Sequence, residues 1–331
     1  MDKEIVKEFQ VGPGCHLDVS NVRGSTRVEG WDKPEVRIQA KKHGDDEMTE
    51  IEIGQEGNEV WARTRVKRSE WLSWLGMKMP AEVDYVIQVP YQSRVSTSMV
   101  SGETTVEGVH GGLKLHTVSG DAHLEDVEGE ISLETVSGDI KGGEIKGSAR
   151  LHTVSGDIVL NASHLTSLKG NTVSGDIRTE TDLGSEGEYK VDSVSGDWKL
   201  AVPAATRCTA TMSTVSGDLQ ASLSHDIMER RRSNKRYAIN GGGVPVVFHS
   251  VSGDLKVFAR EGEPEVAGQA APAAQETVPA GTTESGPKTE APAPSEPKHA
   301  TTRMQILKAI EAGEMTVEEG IAHLQELASE E

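Results

Sequence analysis

The sequence Val118-Ser119-Gly120-Asp121 recurs at regular intervals through the middle of this 331-residue chain. An earlier variant, Val100–Glu103, ends in Glu, and six further copies end in Asp139, Asp157, Asp176, Asp197, Asp218 and Asp254. The acidic residue advances by 18, 18, 18, 19, 21, 21 and finally 36 residues. A fixed period of this size is typical of repeat proteins in which each unit stacks on its neighbours.

Each copy predicts a tight turn between two strands. A glycine, first Gly102, recurs at one point of every unit, and glycine adopts positive φ without steric cost. Leu113 and Leu115 alternate with polar residues before the turn, which is the period of a strand. A second short sequence that ends in glycine, such as Val127–Gly129, recurs halfway between these turns. Each unit therefore turns at least twice. We therefore expect an all-β, parallel β-helix with rungs about 4.8 Å apart and right-handed crossovers.

Composition divides the chain into four parts. Residues 1–99 contain short strands without a strict period and predict a mixed-strand cap on the N-terminal end of the solenoid. Residues 100–260 hold the regular β-helix. Residues 261–299 are almost wholly Ala, Pro, Glu, Thr, Gly and Ser, the composition of a disordered linker.

Residues 300–331 contain two capping-box patterns and predict a small α-helical hairpin. A unit of this size is too small to be stable alone. We therefore expect it to dock on its own copy, on the rod or on another protein. Its apolar face consists of Ile306, Leu307, Ile310, Ile321, Leu324 and Leu327.

The overall composition restricts the possible partners and the expected cellular location. A net charge of −19 argues against nucleic acid, because neutralising phosphates requires a basic face. The two cysteines, Cys15 and Cys208, lie far apart and imply no disulfide framework. The first residues lack the apolar region of a secretory signal, and no run of 18 apolar residues occurs. The expected location is the cytoplasm.

One apolar segment in the N-terminal region is a candidate contact. It contains Trp71, Leu72, Trp74, Leu75 and Met77. These side chains either pack over the cap or form an exposed tip that enters a membrane interface or a partner groove.

A basic segment interrupts the rod within the 36-residue gap. It contains Arg230, Arg231, Arg232, Lys235 and Arg236, and we expect a loop or short helix that protrudes from one rung. Two hypotheses remain for it. It is either a solvated loop that pairs with the acidic rod, or a site for anionic lipid or an acidic partner.

The stacked acids do not predict catalysis. Acid–base chemistry needs two carboxylates in different environments, whereas a repeat supplies near-identical ones. Stacking unit charges about 4.8 Å apart costs on the order of 0.9 kcal/mol per pair in water, and a charge-assisted hydrogen bond to a turn N–H recovers about 1.5–3 kcal/mol. Gly102 and the repeated aspartates are therefore assigned to structural turns, in preference to a calcium site.

His116, Glu134 and His152 occupy one position in three consecutive units. Two imidazoles and a carboxylate suit a transition metal, but a ladder of opposite charges is the favoured interpretation. No cofactor and no metal are expected. The repeated valine leaves two alternatives open, since Val154 and its equivalents form either an external apolar stripe or part of the core.

The repeated Thr-Val-Ser-Gly-Asp-Ile, after strands ending at Val89-Pro90, resembles the bacterial "putative adhesin" β-helix family over about residues 15–260. The tail from Met304 to Ile321 looks like the short helical hairpin of YvlB/LiaX-type (SHOCT-like) proteins. Those proteins pair such a hairpin with this β-helix and are linked to cell-envelope stress responses. The resemblance implies no catalytic residues.

Together these features predict a non-enzymatic scaffold or interaction protein, with a rod tethered by a linker to a docking hairpin. The expected partner is another protein or a second copy. The alternative is a peripheral, membrane-associated envelope-stress protein at the inner face of the membrane. A carbohydrate-active β-helix enzyme is a further alternative, and it would need a groove lined by aromatic residues.

Overall fold

The computed structural model describes residues 3–44, 48–66 and 80–260. These all belong to the first of two units, Met1–Glu265 and Val266–Glu331. The described residues form 22 strands and contain no α-helix. The strands are β1 (Lys3–Gln10), β2 (His16–Arg23), β3 (Thr26–Trp31), β4 (Glu35–Lys42), β5 (Thr49–Glu56), β6 (Glu59–Val66), β7 (Val83–Pro90), β8 (Arg94–Ser101), β9 (Glu103–Val109), β10 (Leu113–Thr117), β11 (Asp121–Thr135), β12 (Ile140–Thr153), β13 (Ile158–Thr172), β14 (Ile177–Thr181), β15 (Tyr189–Ser193), β16 (Trp198–Val202), β17 (Cys208–Ser216), β18 (Leu219–Ala221), β19 (His225–Arg230), β20 (Asn234–Ile239), β21 (Val244–Ser252) and β22 (Leu255–Ala259).

The strands stack as the rungs of a solenoid, which confirms the all-β prediction. Two parallel ladders run along it. One contains β2, β8, β10 and β15, and the other contains β3, β9, β14 and β16. The long strands β11, β12 and β13 bend and take part in both. From β8 to β12 successive rungs pair at an offset of 18 residues, so like residues meet. No observation bears on handedness, which stays a prediction.

Each rung also bends between the two ladders. Asp126, Glu144 and Ala162 have left-handed backbones, with φ of 50°, 52° and 46°. They recur at the 18-residue interval, and pairing between β11 and β12 skips Asp126 and Glu144. Gly129 and Gly147 follow with φ of 116° and 117°. The chain therefore changes direction twice within a few residues at the mark halfway between the Val-Ser-Gly-Asp turns.

The order of rungs in space departs from their order in the chain at both ends. The last strands, β21 and β22, lie between β15–β16 on one side and β17–β18 on the other. The early strands β2 and β3 likewise lie between β6–β7 and β8–β9. The 36-residue interval from Asp218 to Asp254 thus contains β18, the hairpin formed by β19 and β20, and β21, which re-enters the stack between earlier rungs.

Residues facing the interior form columns of apolar side chains. Leu113, Ile131, Ala149, Leu168 and Tyr189 lie on successive rungs and are all buried. The interior is filled by equivalent residues stacking on one another, which explains how a chain with 4% aromatic residues builds a core.

The N-terminal strands include antiparallel pairs absent from the middle of the rod. Strand β4 pairs antiparallel with both β1 and β7, and β5 pairs antiparallel with β6. These strands lie beyond the inserted β2–β3 rung. They give the N-terminal region the mixed-strand character predicted for it.

The basic segment is a strand hairpin and not the protruding loop or short helix that we predicted. Strand β19 pairs antiparallel with β20, and β20 pairs antiparallel with β17. The alternation of buried Lys235, Tyr237 and Ile239 matches a strand with one face on the core. The hairpin extends the sheet because β17 offers it an open edge at the end of the rod.

Candidate functional site

The corner at each repeat is closed by its own side chains. The amide of Gly120 donates to the Thr117 hydroxyl at 3.1 Å, and that hydroxyl donates to the Gly120 carbonyl at 3.0 Å. The hydroxyl of Ser119 donates to the Val100 carbonyl of the preceding rung at 3.0 Å. The threonine and serine bonds recur in the next three units. The motif that closes the corner is therefore Thr-Val-Ser-Gly-Asp, which adds one residue to the Val-Ser-Gly-Asp repeat.

The repeated glycine is required by close stacking. A Cβ at Gly138 would lie 1.9 Å from the Gly120 carbonyl oxygen, and one at Gly156 would lie 2.0 Å from that of Gly138. Among the repeat glycines only Gly102 has a positive φ, of 136°. Our expectation of positive φ was therefore wrong for the others. The column begins with Gly24, since a Cβ at Gly102 would lie 1.9 Å from its carbonyl.

The repeated aspartates form one column and bind the rungs to one another. The amide of Asp139 donates to the Asp121 carboxylate at 3.0 Å, and Asp157 donates to Asp139 at 2.9 Å. Each carboxylate thus accepts the N–H of the next rung, and not one from its own turn. The same bond, at 2.8–2.9 Å, joins the spatial sequence Asp157, Asp176, Asp197, Asp254 and Asp218.

Three lysines pair with the last four aspartates of this column, toward the C-terminal end. Lys199 Nζ lies 3.0 Å from Asp176, and Lys256 Nζ lies 3.6 Å from Asp197 and 3.5 Å from Asp254. Lys235 Nζ lies 3.2 Å from Asp218, which ends the column.

Lys235 is therefore not part of an exposed basic loop. It is 8% exposed, and its ammonium group also donates to the Gly217 carbonyl. Lys235 caps the last glycine and the last aspartate, where a further rung would otherwise bond.

The His116–Glu134–His152 stack exists as predicted from the spacing. The pairs His116–Glu134 and Glu134–His152 are in register, and His116 Nδ1 lies 2.8 Å from Glu134 Oε2. Burial disfavours the charged Glu134 carboxylate, but the hydrogen bond from His116 and the charges of both histidines outweigh it and lower its pKa. Burial lowers the pKa of His152, although Glu134 opposes the shift.

A second group could ligate a metal. His110, Asp126 and Glu128 bring ligand atoms within 4.8 Å of one another. Lys146 Nζ already lies 2.8 Å from Glu128 and 4.0 Å from Asp126. The ammonium group supplies the positive charge, so this group is an ion-pair network.

The valine column changes character along the rod. Val100 and Val118 are buried, whereas Val194, Val251 and Val215 are 49%, 52% and 71% exposed. Our two alternatives each hold for part of the column. The exposed valines lie on three successive rungs at the C-terminal end, because β21–β22 are inserted there.

These residues lead to a mixed cationic and apolar surface at the end of the rod. Pairing of β19 with β20 shifts register between Ile227 and Glu229, and such a bulge re-aims side chains. Ile227 and Met228 are consequently both exposed, at 50% and 59%. An open depression of about 470 Å³ lies between the turn Val215–Asp218 and Arg230–Arg232. We call the hairpin surface the group Val215, Ile227, Met228, Arg230, Arg231 and Arg232.

Two predicted sites lie outside the described residues. The first is the tip formed by Trp71, Leu72, Trp74, Leu75 and Met77. The second is the docking face formed by Ile306, Leu307, Ile310, Ile321, Leu324 and Leu327. Both remain predictions.

Three functional features escaped the sequence analysis. The hydroxyl residue before the repeated valine is Thr in five copies, Ser in two and Met99 in the first, so its recurrence was visible in the sequence, but its role in closing the corner was not predicted. The capping role of Lys235 and the exposure of Ile227 with Met228 depend on pairing between β17, β19 and β20, for which no local signal exists.

No curated protein matches the chain. Solved structures with similar folds include a "putative adhesin" from Bacteroides fragilis, with 14% identity and a TM-score of 0.42 over 77% of this chain and 97% of that one. Another is a "putative cell adhesion protein" from Clostridium sporogenes, with 9% identity and a TM-score of 0.32 over 78% of this chain and 100% of that one.

A third is a "putative lipid binding protein" from Parabacteroides distasonis, with 13% identity and a TM-score of 0.33 over 78% of this chain and 97% of that one. The Toastrack DUF4097 family model matches residues 16–258, which include the whole repeat and both inserted rungs. The chain belongs to the Toastrack DUF4097 family.

Proposed function

We propose that this protein is a non-enzymatic interaction scaffold. The observation that carries the proposal is the use of the repeated polar groups. Each Asp carboxylate from Asp121 onward accepts the amide of an adjacent rung, or is capped by Lys235 at the end of the column. Carboxylates held in this way support the rod, and their near-identical environments do not supply the distinct acid and base that turnover of a substrate needs.

Three aromatic residues of the rod argue in the same direction, whereas a fourth, Phe258, is partly exposed and has the Arg178 guanidinium carbon 5.9 Å from its ring centroid. Tyr189, Trp198 and Phe248 are fully buried, and Trp198 donates to the Thr179 hydroxyl at 3.1 Å. A carbohydrate-active enzyme needs exposed rings on which a sugar can stack. These three rings fill the core instead.

The proposed partner is a protein or a second copy that binds residues 300–331, and the proposed location is the cytoplasm. Affinity capture with the full chain tests this, compared with Leu307→Glu/Leu324→Glu and the control variant Glu311→Lys/Glu326→Lys, which leaves the predicted apolar residues unchanged. A partner, or self-association measured by light scattering, should be lost in the first variant and kept in the second. Hydrolysis of a polysaccharide by the full chain would contradict the proposal.

A second function is peripheral association with the inner face of the membrane as part of an envelope-stress response. The exposed arginines beside apolar side chains on the hairpin surface favour it. Among the described residues, no helical segment has the length and hydrophobicity needed to cross a bilayer. Sedimentation of the full chain with anionic vesicles tests this function, and failure to sediment would contradict it.

A further inference from the structure

We infer that the hairpin surface is a docking site for anionic lipid head groups, with Ile227 and Met228 entering the interfacial region of the bilayer. The inference rests on the second function proposed above. It assigns that function to named side chains at one end of the rod.

The first argument is the charge of the hairpin. Arg230 and Arg232 are exposed, and no acidic side chain in the described part of the chain forms an ion pair with either. Arg231 pairs with Glu229 at 3.1 Å but keeps 79% of its side-chain surface exposed. Together with Arg236, four arginines face two acids on this hairpin, Asp226 and Glu229. The hairpin therefore carries a net positive charge within an acidic protein.

The second argument is that lysines offset most of the charge of the nearby acidic column. Lys235 pairs with Asp218, and Lys256 lies against both Asp254 and Asp197, so two ammonium groups face three carboxylates. Charges farther along the rod lie more than two rungs away, at about 4.8 Å per rung. At physiological salt, charges beyond about 8 Å are largely screened. An approaching anionic surface thus meets the arginines and not the net charge of the whole chain.

The third argument is the exposed apolar surface beside the arginines. The bulge in β19 exposes two large apolar residues in succession, Ile227 and Met228. Val215 adds a third at the edge of the depression. The combination of basic and apolar side chains on one surface is the pattern of an element lying in a membrane interface.

The fourth argument is rigidity. Strand β20 pairs with β17 over six residues, and Ser213 Oγ donates to Asn234 Oδ1 at 3.0 Å. The amide of Arg231 donates to the Asn234 carbonyl at 2.8 Å and closes the turn. The arginines are therefore presented by a framework that is ordered before any ligand binds, which reduces the entropy lost on binding.

The test is sedimentation of the full chain with vesicles of phosphatidylcholine alone or mixed with phosphatidylglycerol. Each arginine near an anionic surface is worth about fivefold in partitioning. Arg230→Gln/Arg232→Gln should therefore weaken binding to the mixed vesicles about 25-fold. The matched variant Arg94→Gln/Arg178→Gln removes two exposed arginines from β8 and β14, away from the hairpin, and should bind like the parent chain.

The apolar contribution is tested by Ile227→Ser/Met228→Ser, with Val6→Ser/Val86→Ser as the control on exposed apolar residues of β1 and β7. The first variant should lose binding and the second should keep it. If binding to the mixed vesicles depends on the arginines but not on Ile227 and Met228, the protein associates by charge alone, these side chains do not enter the bilayer, and the inference is wrong. Equal loss in test and control variants, or absence of binding, would also overturn it.

A contact elsewhere has its own signature. If Trp71→Ala/Trp74→Ala abolishes binding while Arg230→Gln/Arg232→Gln does not, the membrane function stands and this assignment fails. The affinity-capture test uses variants within residues 300–331, so its outcome does not depend on the vesicle results for the hairpin surface. Failures of the scaffold, of the membrane function and of this site are therefore distinguishable.

Discussion

Substituting Gly138 by alanine tests whether close stacking of the corners holds the solenoid together. The new Cβ would lie 1.9 Å from the Gly120 carbonyl oxygen, about 1.1 Å inside the 3.0 Å limit below which real Cβ contacts essentially never occur. This oxygen belongs to the backbone, so no side-chain rotation relieves the clash. The two rungs must therefore separate at this corner.

Three hydrogen bonds hold the corner at that point. Asp139 N donates to Asp121, Ser137 N donates to the Val118 carbonyl at 2.9 Å, and Ser137 Oγ donates to the same carbonyl at 3.1 Å. Each such bond contributes about 1 kcal/mol, so the expected loss in the free energy of unfolding is about 3 kcal/mol. For a unit of this size that corresponds to a fall of about 6–12 °C in Tm.

The assay is urea denaturation followed by circular dichroism, with Gly12→Ala as the control. A Cβ at Gly12 would lie 3.4 Å from Asn58 Oδ1, an ordinary contact, so the control should lose less than about 1 kcal/mol. If Gly138→Ala is no less stable than Gly12→Ala, the glycine column does not constrain the stack and our reading of the repeat is wrong.

Three further predictions concern the ladders. Asp157→Ala removes the acceptor of the Asp176 amide and should lower the free energy of unfolding by about 1–2 kcal/mol. Asp157→Asn should cost less, because it keeps an acceptor and relieves repulsion between neighbouring carboxylates. Equal losses for the two variants in urea titration would contradict this prediction. Both Glu134 and His152 have lowered pKa values in the folded protein, so protons bind the unfolded chain more readily and stability should fall as pH drops from about 6.5 through about 4.3. Glu134→Gln/His152→Asn should flatten that decline in Tm, and an unchanged slope would count against the stack. Lys235→Met leaves the half-buried Gly217 carbonyl without its donor and should cost about 1–3 kcal/mol, measured by thermal melting against Lys33→Met on the exposed surface.

The predictable part of this molecule is the part where the sequence repeats. An 18-residue period places Thr117, Thr135 and Thr153, or Gly120, Gly138 and Gly156, at one point of successive rungs. Parallel stacking then follows, because like residues can meet only if each unit returns to the same place. The register of β10, β11 and β12 could therefore be read from spacing alone.

Less of the hairpin surface could be predicted from the sequence. The sequence located the arginines from Arg230 to Arg236 but could not say that one basic residue, Lys235, is buried against Asp218. It also gave no sign that Ile227 and Met228 are both exposed. These facts depend on which strand edge receives the hairpin, and edge selection is a non-local pairing decision.

The amino-acid sequence by itself determined the period, the parallel coil and the stacked columns of Gly and Asp, because identical local units impose identical neighbours. Only the tertiary structure decided that β21–β22 enter between earlier rungs, which valines face solvent, and how Lys235 ends the aspartate column. The physical reason is that backbone hydrogen bonds between distant strands carry no local sequence signal. Many pairings of a repeat satisfy the same pattern, and the one adopted is selected by burial over the whole rod.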